Sequence, residues 1–190
     1  MGEQYIVERS YAGLTGIEEL SQGTFEGCEF VDCNFERANL AFYNFIDCRF
    51  EGCNLSNIRV ANCALQSVVF DHCKLMGTDF SECNSFALSL QFYHSQVLYC
   101  TFDKLMLKNS VFTDCRLVSS DFRQTNLMNS DFRSSDLGGT TFDHCNLTKA
   151  NFREAVNYTI DPELNQLKGA KFSLDGVGGL LSKYGIVLEP

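Results

Sequence analysis

The sequence has no tryptophan, two prolines and three histidines in 190 residues. No stretch approaches the ~18 consecutive apolar residues of a membrane-spanning helix, so no membrane partner is expected. There is no excess of positive charge either. Lys and Arg number 15 against 24 Asp and Glu, for a net charge of −9. Phosphate neutralisation and adhesion to an anionic bilayer both need the opposite sign, which argues against direct nucleic-acid binding. Catalytic signatures are also missing. The chain has no glycine-rich phosphate loop, no His-Glu-x-x-His and no nucleophile elbow. His72, His94 and His144 stand isolated along it. No enzymatic activity, cofactor or metal is expected. Met1 to Val7 has neither the basic start nor the apolar core of a secretion signal. Ile6 occupies the place where a myristoylation motif has Ser or Thr. The expected address is the cytoplasm.

What the sequence does have is a period of five. From position 25 every fifth residue is large and apolar: Phe25, Phe30, Phe35, Leu40, Phe45, Phe50, Leu55, Val60, Leu65, Phe70, Leu75 and Phe80. From position 102 to Phe152 every fifth residue is Phe or Leu. These two series hold thirteen of the 17 phenylalanines, so one aromatic type recurs for a geometric reason. The position two before each centre is small. It holds all ten cysteines, if Ser85 counts as a centre, and otherwise mostly Ala, Ser, Thr or Val. Interchange among these types argues for small buried side chains rather than a disulfide framework or zinc ligands.

Period five matches neither the 3.6 of a helix nor the 2.0 of a strand. It fits a coil of four short sides, with one pentapeptide per side. Two residues of each five point inward, and neighbouring coils stack at ~4.8 Å. Phe25 should lie under Phe45, Phe30 under Phe50 and Phe70, and Cys33 under Cys53 and Cys73.

The pattern breaks in three places. The step from Phe80 to Phe102 is two more than a multiple of five, and the simplest account is a two-residue bulge or small loop near 84–91. Loops on repeat proteins often mark the binding face. The candidate partner contacts are therefore Phe86, Leu88, Gln91, Tyr93 and His94, with Glu51 and Asp71 from an acidic column Val31–Glu51–Asp71. Residues 1–22 lack a clean repeat and are expected to cap the end of the rod, with Tyr5–Ile6–Val7 as an edge strand. Residues 173–190 are expected to form a short helix between an N-cap at Ser173 and a stop at Gly185, followed by a strand-like Ile186–Val187–Leu188. Leu174, Val177, Leu181 and Tyr184 share one helical face. With Leu180 and Ile186 they are the candidate interface of a homodimer.

The motif Ala/Cys/Ser–Asp/Asn–Leu/Phe resembles that of the pentapeptide repeat family. It occurs as Cys33-Asn34-Phe35, Ala38-Asn39-Leu40, Thr78-Asp79-Phe80, Ser120-Asp121-Phe122, Ser130-Asp131-Phe132, Ser135-Asp136-Leu137 and Ala150-Asn151-Phe152. The resemblance covers about residues 23–172. It implies an all-β solenoid, a right-handed quadrilateral β-helix. The tail, from Ala155-Val156-Asn157-Tyr158 through Ala170-Lys171-Phe172 to Gly185-Ile186-Val187-Leu188, resembles the close of the albicidin-resistance members. The layout resembles the quinolone-resistance (Qnr-type) branch and the microcin self-immunity proteins. That resemblance implies a dimer that mimics DNA, binds gyrase or topoisomerase IV and relieves topoisomerase poisons. A scaffold for another protein is the alternative. About eight coils give roughly 38 Å, over which duplex DNA carries about 22 negative charges. The net charge of −9 is under half of that, so shape must carry much of any mimicry.

Overall fold

The computed structural model describes residues 4–187. It is a parallel β-solenoid of about eight coils with a short C-terminal helical segment. One sheet stacks β1 (Gln4–Val7), β3 (Gly23–Glu26), β5 (Asn44–Ile46) and β7 (Ala64–Gln66) in that order. A second stacks β2 (Ser10–Ala12), β4 (Glu29–Val31), β6 (Arg49–Glu51), β8 (Val68–Asp71), β10 (Leu90–Tyr93) and β12 (Val111–Thr113). β9 (Lys74–Met76) pairs with β11 (Gln96–Leu98), and β13 (Asn151–Phe152) with β14 (Lys171–Phe172). Phe25 pairs with Phe45 and Phe30 with Phe50, each with its counterpart one coil on. Residues 4–22 form a coil of their own, stacked one position out of the regular step through Tyr5–Thr24 and Tyr11–Phe30.

The large residues fill the axis as the period requires. Rings stack along the rod in one unbroken ladder from Tyr11 through Phe30, Phe50, Phe70, Phe92, Phe112, Phe132 and Phe152 to Phe172. Centroid spacings along it are 4.7 Å for Phe30–Phe50 and 4.9 Å for Phe70–Phe92. A second ladder, Phe80–Phe102–Phe122–Phe142, meets the first edge-on. Burying a phenylalanine side chain is worth about 1.5–3 kcal/mol, and each aromatic pair adds about 0.5–1.5 kcal/mol.

The small slot has a second property besides size. In several coils its side chain donates to the main-chain carbonyl of a large residue in the coil below, although the Thr78 and Ser110 hydroxyls are buried without a partner. Thr125 Oγ1 reaches Phe102 O at 2.6 Å, Ser130 reaches Leu107 O at 3.0 Å and Ser135 reaches Phe112 O at 2.6 Å. Cys48, Cys53, Cys73 and Cys145 do the same, with Cys48 Sγ 3.2 Å from Phe25 O and Cys73 Sγ 3.3 Å from Phe50 O, whereas Cys63, Cys100 and Cys115 reach only carbonyls one or two residues away. Cys, Ser and Thr are each small and each able to donate this bond, so the slot offers a donor role beside its size. All ten cysteines are free and buried. Burial pushes the Cys48, Cys83, Cys100 and Cys115 thiols up to about 12, so they stay protonated and able to donate.

At the tight turns where an Asp or Asn precedes the large residue, that Asp or Asn turns the corner. Its side-chain oxygen accepts the N–H two residues on, as in Asn34–Glu36, Asp121–Arg123, Asp131–Arg133 and Asn146–Thr148. This local turn chemistry settles the backbone for the left-handed residue that follows, such as Arg37 (φ +60°), Gln124 (φ +56°) or Lys149 (φ +60°).

The expected short C-terminal helix is present but winds with the 3-10 period and not the 3.6-residue period that groups its apolar face. Leu174–Leu180 and Ser182–Tyr184 are 3-10 turns. Gly185 is left-handed at φ +61° and ends the second turn, as expected of a stop. Ser173 precedes the first turn but makes no side-chain cap, because its hydroxyl accepts the Glu154 N–H at 2.8 Å. The glycines that weaken an α-helix serve close packing here. A Cβ on Gly179 would fall 2.2 Å from the Tyr158 carbonyl oxygen, and the Gly179 carbonyl accepts the Ile160 N–H at 3.0 Å. Ile186 and Val187 are exposed and form no strand. Leu188 lies outside the described residues.

Candidate partner-binding face

The register change lies between Asn84 and Ser89. Asn84 still bridges Ala64 with the regular step, whereas β10 pairs with β8 at a step two positions longer, Leu90 opposite Val68 and Phe92 opposite Phe70. The side chain of Asn84 accepts the Phe86 N–H at 2.9 Å, and Ala87 is left-handed at φ +54°. This small bulge throws Phe86 outward, where it is 74% exposed. Ser85 is exposed and does not act as an inward centre. Leu88 takes the interior instead at 9% exposure. As a partner contact Leu88 is therefore corrected: it closes the core under the bulge.

Beside the bulge, β6, β8 and β10 present a connected polar face. Glu51 and Asp71 stack in register below Tyr93, so the expected acidic column exists. It is partly neutralised, because Arg49 binds both of its members, Asp71 Oδ2 at 2.6 Å and Glu51 Oε2 at 3.1 Å. Tyr93 donates its hydroxyl to Gln91 Oε1 at 3.0 Å. Burial raises the Asp71 pKa, but hydrogen bonds from His94 and Arg49 outweigh it and hold the carboxyl below its usual value.

The histidines are not all isolated, and this corrects the linear reading. His72 and His94 occupy the same corner of adjacent coils, both left-handed, at φ +52° and +48°. Their rings stack with centroids 4.7 Å apart and planes 20° apart. Both Nδ1 atoms lie 2.9 Å from Asp71 Oδ1. The signal was available in the sequence: each histidine sits second after a ladder phenylalanine, Phe70 or Phe92. Only the lengthened step between those two hid their juxtaposition. The Cys of each Asp-His-Cys trio is buried while His72 and His144 face solvent, so neither trio can act as a nucleophile–base pair.

At the far end Leu174 is 89% exposed, and Val177, Tyr184 and Ile186 are exposed as well. Leu180 packs against the core and Leu181 is half-buried, so these two offer little surface. In a 3-10 turn Leu174, Val177 and Leu180 fall in line, a different face from the one a 3.6 period groups. Lys183 reaches Asp161 Oδ1 and Glu163 Oε2, both at 2.7 Å, and Tyr184 donates to Glu163 Oε1 at 2.9 Å. These contacts tie the tail to its own last coil. Among the described residues no helix is long and apolar enough to cross a membrane.

The family description "pentapeptide repeat region" matches residues 23–91, and "pentapeptide repeats (8 copies)" matches residues 100–133 and 125–156. No curated protein sequence matches the chain. Among solved structures, a trypsin-treated form of QnrB1, a plasmid-mediated fluoroquinolone resistance protein, is 18% identical with a TM-score of 0.64, covering 98% of this chain and 98% of that one. Full-length QnrB1 gives a TM-score of 0.54 at 18% identity, covering 96% of this chain and all of that one. At this identity the likeness speaks for the fold. With the repeat matched on both sides of the register change, the chain belongs to the pentapeptide repeat family.

Proposed function

We propose that this protein acts without catalysis, as a rod that binds a type II topoisomerase such as DNA gyrase and protects it from poisons. The observation that carries this reading is the end-to-end correspondence with a fluoroquinolone resistance protein, which extends over 98% of both chains. The contact region is the bulge and the face beside it: Phe86 as an apolar anchor, with Gln91, Tyr93, His94, Glu51 and Asp71 around it. Exposed aromatics of this kind are common energetic anchors of protein interfaces. Arg49 offsets part of the acidic column, so surface shape contributes more than charge. In this reading two rods pair through their tails, using Leu174, Val177 and Ile186, and work in the cytoplasm.

The test is gyrase supercoiling with a fluoroquinolone, titrated with this protein at fixed salt. Recovery of supercoiling is expected, and Phe86→Ser should weaken it while leaving thermal unfolding unchanged. Inhibition without recovery would mean mimicry without protection. No effect at any dose would favour a scaffold for an unrelated partner. Leu174→Asp with Ile186→Asp should give a monomer with reduced protection, and full protection by that monomer would remove the dimer from the mechanism.

A further inference from the structure

The corner shared by His72 and His94 has the donor set and geometry of a metal site. Two imidazole Nδ1 atoms converge on one carboxylate oxygen, each 2.9 Å from Asp71 Oδ1, and the three atoms lie within 4.8 Å of one another. A divalent transition metal binds nitrogen and carboxylate oxygen at about 2.0–2.2 Å. Tetrahedral ligand atoms at that radius stand about 3.3–3.6 Å apart, so ring rotations that open each Nδ1–Oδ1 gap from 2.9 Å would admit the ion between them. Two imidazoles with one carboxylate suit zinc, nickel, copper or iron rather than calcium or magnesium.

The support around the site is built in. The same left-handed corner recurs one coil up, so both histidines leave the backbone in the same direction, and their rings stack. Asp71 has only 15% of its side chain exposed. Its other oxygen is held by Arg49 at 2.6 Å, and Arg49 is itself held by Glu51 at 3.1 Å. Outer partners that fix a ligating carboxylate are a usual part of metal sites. Glu51, Asp71 and Arg49 together carry one net negative charge, so a cation is not repelled. The imidazoles are half exposed or more, which leaves room for water or a partner's side chain as further ligands.

The molecule contains its own control. Asp143–His144 repeats the same dipeptide, with Nδ1 2.7 Å from the carboxylate. Its corner neighbour one coil down is Gln124, so no second imidazole joins it from that side.

We propose that Asp71, His72 and His94 bind one first-row divalent transition metal ion at the edge of the partner-binding face. This stands apart from the topoisomerase reading and can hold or fail without it. The experiment is calorimetric titration of the untagged full-length protein with Zn²⁺, paralleled by Co²⁺ absorption. One equivalent should bind per chain. His72→Ala and His94→Ala should each weaken binding by about tenfold or more, and His144→Ala should leave it unchanged. Circular dichroism confirms that the variants are folded. The absence of saturable binding would overturn the proposal. So would binding that survives His72→Ala with His94→Ala, or a thiolate-to-cobalt band placing the ion on cysteines.

Discussion

Residues 23–113 and residues 114–150 wind the same coil with different corners. In the first region two faces carry three- and four-residue strands, β3 to β8, β10 and β12. In the second there is no strand, only isolated bridges such as Asp121–Thr141 and Asp136–Val156 between tight turns. The residue before each large centre separates the two. Strand faces have Glu29, Arg49, Ala64, Val69, Gln91 and Val111 there; most turn faces of the second region have Asp121, Asn126, Asp131, Asp136 and Asn146. An Asx side chain competes for the backbone and closes the corner early. Residues without that acceptor leave the chain extended. Asn44 is an exception: it starts a strand, and its side-chain NH2 donates to Thr24 Oγ1, a bond that leaves its acceptor oxygen unused. Arg59, Met106 and Arg116 precede tight turns without such an acceptor, so the stacking of neighbouring coils can impose the turn as well. The extended faces carry the acidic column on β6 and β8, and the bulge and the histidine pair sit at the corners that flank those strands.

The largest expected effect tests whether the two regions share one core. Phe92 and Phe132 are both fully buried in the same ladder. Phe92→Ala and Phe132→Ala should each cost about 3–5 kcal/mol in urea unfolding. If Phe132→Ala cost far less, or gave a separate transition, the strand-free coils would be a weaker unit that opens by itself.

The corner rule gives the next test. Asp131→Ala removes the acceptor of the Arg133 N–H and should cost about 1 kcal/mol. Glu29→Ala, at the matching place on a strand face, should stay within about 0.5 kcal/mol. Equal costs would break the distinction between Asx corners and strand corners. The donor slot follows. Ser135→Ala loses the bond to Phe112 O and should cost about 1 kcal/mol, while Ser135→Cys keeps a weaker donor and should cost less. If Cys were no better than Ala, volume alone would govern the slot, and the cysteine-rich first region would differ from the Ser/Thr-rich second by packing only.

The coil, its phase and the break between Phe80 and Phe102 were legible because a period of five, repeated along most of the chain, averages out local exceptions. The side toward which the bulge closes was not. Phe86, Leu88 and Leu90 are all apolar, and only the Asn84 turn decides that Phe86 leaves and Leu88 enters. The donor role of the small slot was hidden because Ala and Val also occur there. In the tail, an α-helical period grouped Leu181 and Tyr184 with Leu174. There the backbone winds as 3-10 turns, with Gly179 too close to Tyr158 for a Cβ and its carbonyl accepting the Ile160 N–H, tertiary constraints that hydropathy does not carry. His72 and His94 looked isolated because pairing in a solenoid is read in coils, and the coil that joins them is longer than its neighbours.

The smallest expected effect is electrostatic and has opposite signs in two carboxylates. Asp71, on the strand face, is held below the ordinary carboxylate value: burial raises its pKa, and His94 and Arg49 more than reverse this. Its contribution is therefore complete above the unfolded value of about 3.9 and is lost as pH falls through the lower folded value. Asp103 follows Phe102 on a turn face, and its pKa is raised by burial and by the neighbouring Asp121 carboxylate. Its Oδ1 is buried without a hydrogen-bond partner. There the contribution is complete below about 3.9 and is lost as pH rises through the higher folded value. Urea midpoints measured in chelator from about pH 3 to pH 6 separate the two. Asp71→Asn should flatten the loss of stability on the acid side, and Asp103→Asn should steepen it slightly by removing the opposing slope. Both side chains are partly exposed, so the changes are tenths of a kcal/mol. Slopes of the same sign in both variants would mean that Arg123, which lies 3.5 Å from Asp103, pairs with it as effectively as Arg49 pairs with Asp71.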